Sequence, residues 1–237
     1  MDDLDENGGG KRMQYSGFMG LLFRIAHWFM QFSVVNVTWV LINSLTFVLV
    51  FLLFLSPSVI EMIIFGVLLL ISVSAILVPS SVALFAVARE WLIRHEDTTM
   101  VQSFWEYLKE NYKQSIRSGV VLSLLWTVWL VDFLFFLNKN DLLTMVLIIV
   151  GVYLYVYTVV YFSMAAHFQM KVKKLMAQAF FLTVGRPLLV IGIVFISGSL
   201  FYFSLQFSFL FVFFTIAINA YFCFYLFFRF TGSKTTA

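Results

Sequence analysis

Charge is what this chain has least of: Asp, Glu, Lys and Arg make up 11% of its 237 residues, against 62% hydrophobic and 19% aromatic residues. A soluble fold cannot hide that much apolar surface, so the composition assigns the chain to the membrane proteins. The single cysteine, Cys223, stands in the apolar run AYFCFYLFF. That excludes a disulfide framework and a thiolate metal site and makes Cys223 a small hydrophobe of a helix. A secretory signal is missing too, because MDDLDENGGGKRMQ begins acidic, carries a glycine triplet and precedes apolar runs too long for an h-region. Residues 1–16 are therefore expected to be a retained, disordered tail, and 231–237 a flexible one.

Catalytic clusters are also scarce. His27, His95 and His167 are scattered, with no HExxH spacing. His95, Glu96 and Asp97 are adjacent in a turn, a poor arrangement for ligating one cation. GSKTT near the C-terminus lacks the earlier glycine of a phosphate loop. No metal, cofactor or enzymatic activity is expected on these grounds. The pI near 9.0 does not point to nucleic acid, because the basic residues are spread between apolar runs. That distribution is an orientation signal.

What the chain has in abundance is apolar runs of bilayer length. A helix needs about 20 residues to cross a hydrocarbon core of about 30 Å. Six spans are predicted, at about 32–55, 59–78, 119–137, 142–167, 188–204 and 207–228. The last two come from splitting the charge-free run Leu188 to Phe228 at its most polar point, Ser204-Leu205-Gln206. Read as one tilted helix plus an interfacial segment, the same run leaves five spans and moves the C-terminus across. With six spans and the N-terminus inside, fourteen of fifteen basic residues face the cytoplasm and only Lys139 lies outside; with five the count is twelve. The expected fold is an all-α polytopic transmembrane bundle, residues 17–230, with both termini cytoplasmic.

The charges concentrate in one place. Arg89 to Arg117 holds ten of the 27 charged side chains. Residues 80–117 are predicted as a cytoplasmic helical segment, its first part SVALFAVAREWLIRH being a kinked extension of span two past Pro79 or a separate helix under the bundle. Thr99 and Gln102 have capping-box spacing. From there Val101, Phe104, Trp105, Leu108, Tyr112 and Ile116 form an apolar face. Opposite lie Glu106, Lys109, Glu110, Lys113 and Arg117, with i, i+3 pairing of Glu106 to Lys109 and Glu110 to Lys113. In FMGLLFRIAHWFMQF, Arg24, His27 and Gln31 form a narrow polar stripe, as expected of an interfacial helix leading into span one. HFQMKVKKLMAQAFFLTVGRPLLV links spans four and five as the charged segment links two and three, which hints at a parallel duplication. Two acids, Asp132 and Glu61, fall inside or at the edge of apolar runs, where an ionisable group is either a pathway residue or sits at headgroup depth in water.

The amphipathic start GFMGLLFRIAHW, Asn36 and Trp39 in VVNVTWVLINSL, the block PSSVALFAVAREW and the stretch HEDTTMVQSFWEYLKENYKQSI together resemble the YesL-like family of bacterial membrane proteins, a domain of unknown function. The resemblance covers most of Gly17 to Arg186 and fades over the last two spans. It implies a role in carbohydrate uptake or its control, and it carries over no catalytic residue. The leading expectation is an accessory or regulatory subunit that binds an ABC transporter permease or membrane sensor through Arg89, Glu90, Arg94, Glu96, Asp97, Glu106, Lys109, Glu110 and Lys113. The alternative is a small transporter or channel with Asp132, Glu61 and the polar groups Asn36, Asn43, Thr46 and Asn219 along its path.

Overall fold

The computed structural model describes residues 18–93, 100–137 and 139–231, and every regular element among them is a helix. In order these are α1 (Phe18–Ile42), α2 (Ser44–Leu55), α3 (Val59–Ile93), α4 (Met100–Phe136), α5 (Asp141–His167), α6 (Val172–Gly185), α7 (Pro187–Gln206) and α8 (Ser208–Thr231). Helices α3, α4, α5, α7 and α8 are long and apolar enough to cross a membrane, and α1 with α2 makes a sixth candidate, bent by 52°. The chain is a multi-pass membrane helical bundle. The break between α7 and α8 falls at Phe207, one residue past the polar point in the sequence.

The first span expected over 32–55 forms as a bent pair of helices. Helix α1 starts at Phe18, so the stretch expected to lie at the interface runs without interruption into the span, and the bend comes at Asn43. The Asn43 amide donates to the Trp39 carbonyl one turn back (2.9 Å) and to Ser80 Oγ on α3 (2.9 Å). A side-chain donor competing at a ladder carbonyl is a recognised cause of helix bending.

Helix α3 decides between the two alternatives past Pro79. Its 35 residues form one continuous helix, so 80–93 extends span two and is not a separate helix under the bundle. Pro79 has no N–H to donate, and the helix meets this with a wide π-type turn over Val73–Leu77, just ahead of it, where the Val78 N–H reaches the Val73 carbonyl five residues back. Beyond that turn, Val78 to Ala88 are all buried. A helix apolar on every face belongs in a core. Here α1, α4, α5 and α8 surround it.

Helix α4 joins the charged segment to span three as one 37-residue rod. Its inward face is also not the one expected. Phe104 is fully buried and Leu108 half-buried, but Trp105 is 43% exposed and Tyr112 40% exposed. The interior stripe continues instead through Ser115, Ser118, Gly119 and Leu122. Small residues win because α4 crosses the wide turn of α3 at backbone contact: a Cβ on Gly119 would stand 2.5 Å from the Ser74 carbonyl oxygen. Ser74 and Ser123 share a hydrogen bond of 2.8 Å at the same crossing.

The polar residues expected along a path serve as ties between helices. Fully buried Asn36 donates to the carbonyls of Phe211 (3.0 Å) and Val212 (2.6 Å) and accepts from the Ala217 N–H (2.9 Å). These groups belong to or flank a second wide turn, Phe211–Thr215 in α8. Thr46 bonds Ser72 (2.6 Å), and Asn219 accepts from Ser197 (2.8 Å) and donates to the Tyr155 hydroxyl (3.2 Å).

Two substitutions test this account by thermal unfolding in mild detergent. Gly119→Val is expected to destabilise by about 1–3 kcal/mol, because it drives a side chain into backbone; unchanged unfolding would mean that the α3–α4 crossing is not this close. Asn36→Leu, similar in size but without the three hydrogen bonds, is expected to cost at least about 1–3 kcal/mol by leaving backbone groups of α8 bare.

Candidate functional site

Helix direction alternates through the bundle, so Arg89, Lys109, Lys113, Arg117, Lys171, Lys173, Lys174, Arg186 and Arg229 gather at one end and Glu61, Asp132, Lys139 and Asp141 toward the other. At 1.5 Å per residue α4 is about 55 Å long, well beyond a hydrocarbon core of about 30 Å, so the basic end projects from the bilayer. That projection carries two distinct arrangements of the residues singled out in the sequence.

The first is internal. Arg89 Nη1 donates to the Ala166 carbonyl (2.6 Å), in the last turn of α5, where a cation meets the negative end of the helix dipole. Its guanidinium lies 5.5 Å from the centre of the Tyr107 ring, and the Tyr107 hydroxyl donates to Glu90 Oε2 (3.2 Å). Glu90 is only 9% exposed. With Ile93 and His167 these three side chains line a cavity of about 250 Å³. His167 closes α5 against the rings of Phe168, Phe224 and Phe228, and its buried Nδ1 has no hydrogen-bond partner among the described residues.

Glu90 is thus corrected from a surface residue to a buried one and Arg89 to a half-buried one: they tie α3 to α4 and α5. The sequence offered a partial signal, since both follow directly on the apolar run of α3. Tyr107 and His167, on other helices, carried none. Arg94, Glu96 and Asp97, and the cap at Thr99, lie outside the described residues.

The second arrangement is external. Glu106, Lys109, Glu110, Lys113 and Arg117 are all exposed along one side of α4. The expected i, i+3 ion pairs do not form among the described residues. Glu110 instead accepts a hydrogen bond from Gln169 (3.4 Å) in the α5–α6 connection. What holds this face in position is the opposite side of the same helix, anchored by Phe104, Ser115 and Ser118 in the core.

Asp132 is exposed on α4. Lys139 stands over the Phe135 ring at 3.5 Å. Glu61 is half-buried in the first turn of α3, where its N–H donates to the Ser58 cap (3.2 Å) and its charge suits the helix N-terminus. Nearer the middle of the bundle, α4, α5 and α7 leave an apolar cleft of about 430 Å³, walled by Trp126, Trp129, Phe133 and Phe201 and with neither acid among its lining.

The fold and this charged end define a helical membrane protein whose basic residues are concentrated at one end. Residues 32–133 match the family described as "Protein of unknown function, DUF624", and the resemblance drawn from the sequence holds. The chain is also similar to the "Uncharacterized protein YteU" of Bacillus subtilis (strain 168), 24% identical over 120 residues. That alignment covers 51% of this chain and 43% of the relative, so the chain spans less than half of that protein's length. No solved structure matches the chain.

The internal arrangement is tested with a double-mutant cycle. Tyr107→Phe is expected to lower stability by about 1–3 kcal/mol, because buried Glu90 loses a donor, and to cost much less when Glu90 is already Leu. Additive effects in detergent unfolding would show that the two side chains do not interact.

Proposed function

We propose that this protein is an accessory or regulatory membrane subunit that docks another membrane protein through the exposed charged face of α4. The observation that carries the reading is the continuity of that helix. A surface bearing Glu106, Lys109, Glu110 and Lys113 rides on a rod whose far half is an apolar membrane helix and whose inner face is anchored in the core. Charges held without intramolecular ion partners among the described residues are free to be matched by a partner, which favours specificity and register over raw affinity. The role is binding, not catalysis: the interior polar groups are largely spent on hydrogen bonds that join helices.

The basic end faces the cytoplasm in this reading, with both termini there and the bundle in the bacterial plasma membrane, on the bias of Lys and Arg to one side. The partner is a carbohydrate-uptake permease of the ABC type or a membrane sensor, an assignment supported by the family resemblance alone.

Extraction of native membranes in gentle detergent, followed by affinity purification of the full chain, is expected to retain a second membrane protein. Reversal of both Glu106→Lys and Lys109→Glu is expected to remove that protein while leaving the thermal unfolding of the bundle within about 0.5 kcal/mol, as for ordinary surface changes. A wild-type chain that purifies alone, or a partner retained by the reversed variant, would overturn the proposal.

A further inference from the structure

Beside the docking face, α4 and the start of α6 leave between them a groove of about 1040 Å³. Four cations line it, Lys113 and Arg117 from α4 and Lys171 and Lys173 from the α6 side, and all four are exposed. None has an ion-pair partner among the described residues. The one acid on the lining, Glu110, sits at the groove's outer margin and already accepts from Gln169 (3.4 Å). The wall opposite α4 is held in place, since Gln114 Nε2 donates to the Met170 carbonyl (2.8 Å) across the gap. Helix α6 begins in that wall at Val172 with no side-chain cap, so the unpaired N–H groups of its first turn add to the positive potential.

The depth of the groove is as informative as its charge. Arg117 is the last charged residue before the apolar run that opens at Gly119, and Val121, about 6 Å or one turn beyond Arg117, lies at the start of that run. Val121, Val172 and Met176 give the groove an apolar floor below a cationic rim. A soluble anion would use only the rim. An amphiphile with an anionic head and an apolar tail fills both.

We infer that this groove is a binding site for an anionic phospholipid of the same leaflet, its phosphate held by Lys113, Arg117, Lys171 and Lys173 and its first acyl carbons laid along Val121 and Met176. Basic pockets between membrane helices are suited to such headgroups. The inference goes beyond the docking proposal and does not depend on it: Arg117, Lys171 and Lys173 are outside the set assigned to the partner.

The test is native mass spectrometry of the full chain, titrated in detergent with phosphatidylglycerol or with phosphatidylcholine. The wild type is expected to bind phosphatidylglycerol preferentially. The triple substitution Arg117→Gln, Lys171→Gln, Lys173→Gln is expected to weaken that binding about a hundredfold, at roughly a factor of five per cation beside an anionic lipid. Lys139→Gln, the same loss of charge at the other end, is expected to change nothing. Should the triple variant fail to fold, judged by unfolding in phosphatidylcholine, Lys171→Gln alone carries the test with an expected loss of about fivefold. Equal binding of the two lipids, or undiminished binding by the folded variant, would overturn the site. Competition by inorganic phosphate at the lipid's own concentration would assign the groove to a soluble phosphate compound and overturn the lipid.

Discussion

Between Val78 and Ala88 the third helix turns no face to lipid or water, and four other helices take their positions from that fact. The segment can serve as an axis because its residues are mostly small, which lets neighbouring backbones come close, and because the wide turn ahead of Pro79 absorbs the missing hydrogen bond instead of breaking the helix. Ser74 and Gly119 meet at the edge of that turn, so the device that accommodates the proline also sets where α4 crosses.

Polar side chains inside the bundle follow from the same constraint. In an apolar surrounding each one must find a partner, and most find it on another helix: Asn43 on Ser80, Trp39 on Ser81, Asn36 on the irregular turn of α8. Asn36 is the clearest case, since a π-type turn displaces carbonyls that a regular helix would satisfy itself, and a single amide from α1 answers for two of them. These contacts bind α1 to the rest of the chain.

Charge is sorted by position along the bundle and then by face. Arg89 and Glu90, set where α3 ends in the core, are used internally; Lys and Glu residues on the outer side of α4 remain available. One continuous helix therefore connects an apolar membrane surface, a cationic groove at the boundary and a mixed-charge face beyond it. That order suits a protein whose work is recognition at a membrane surface.

The sequence alone was enough for the class of fold, because long apolar runs have few physical outcomes and the run after Leu188 is too long for a single crossing. It also made legible the outward placement of Glu106, Lys109, Glu110 and Lys113, since helical periodicity is a local property. The bend at Asn43, the passage of α3 through Pro79 and the burial of Glu90 were decided by tertiary structure. Each depends on what another helix presents: Ser80 to Asn43, the ring of helices around Val78 to Ala88, and Tyr107 to Glu90. The inward face of α4 belongs with these, for a wheel ranks Trp105 and Tyr112 by their hydrophobicity, whereas contact with the α3 backbone at Ser74 selects Gly119 for its size. Close packing of helices depends on size, so shape as well as polarity determines which side of a helix turns inward.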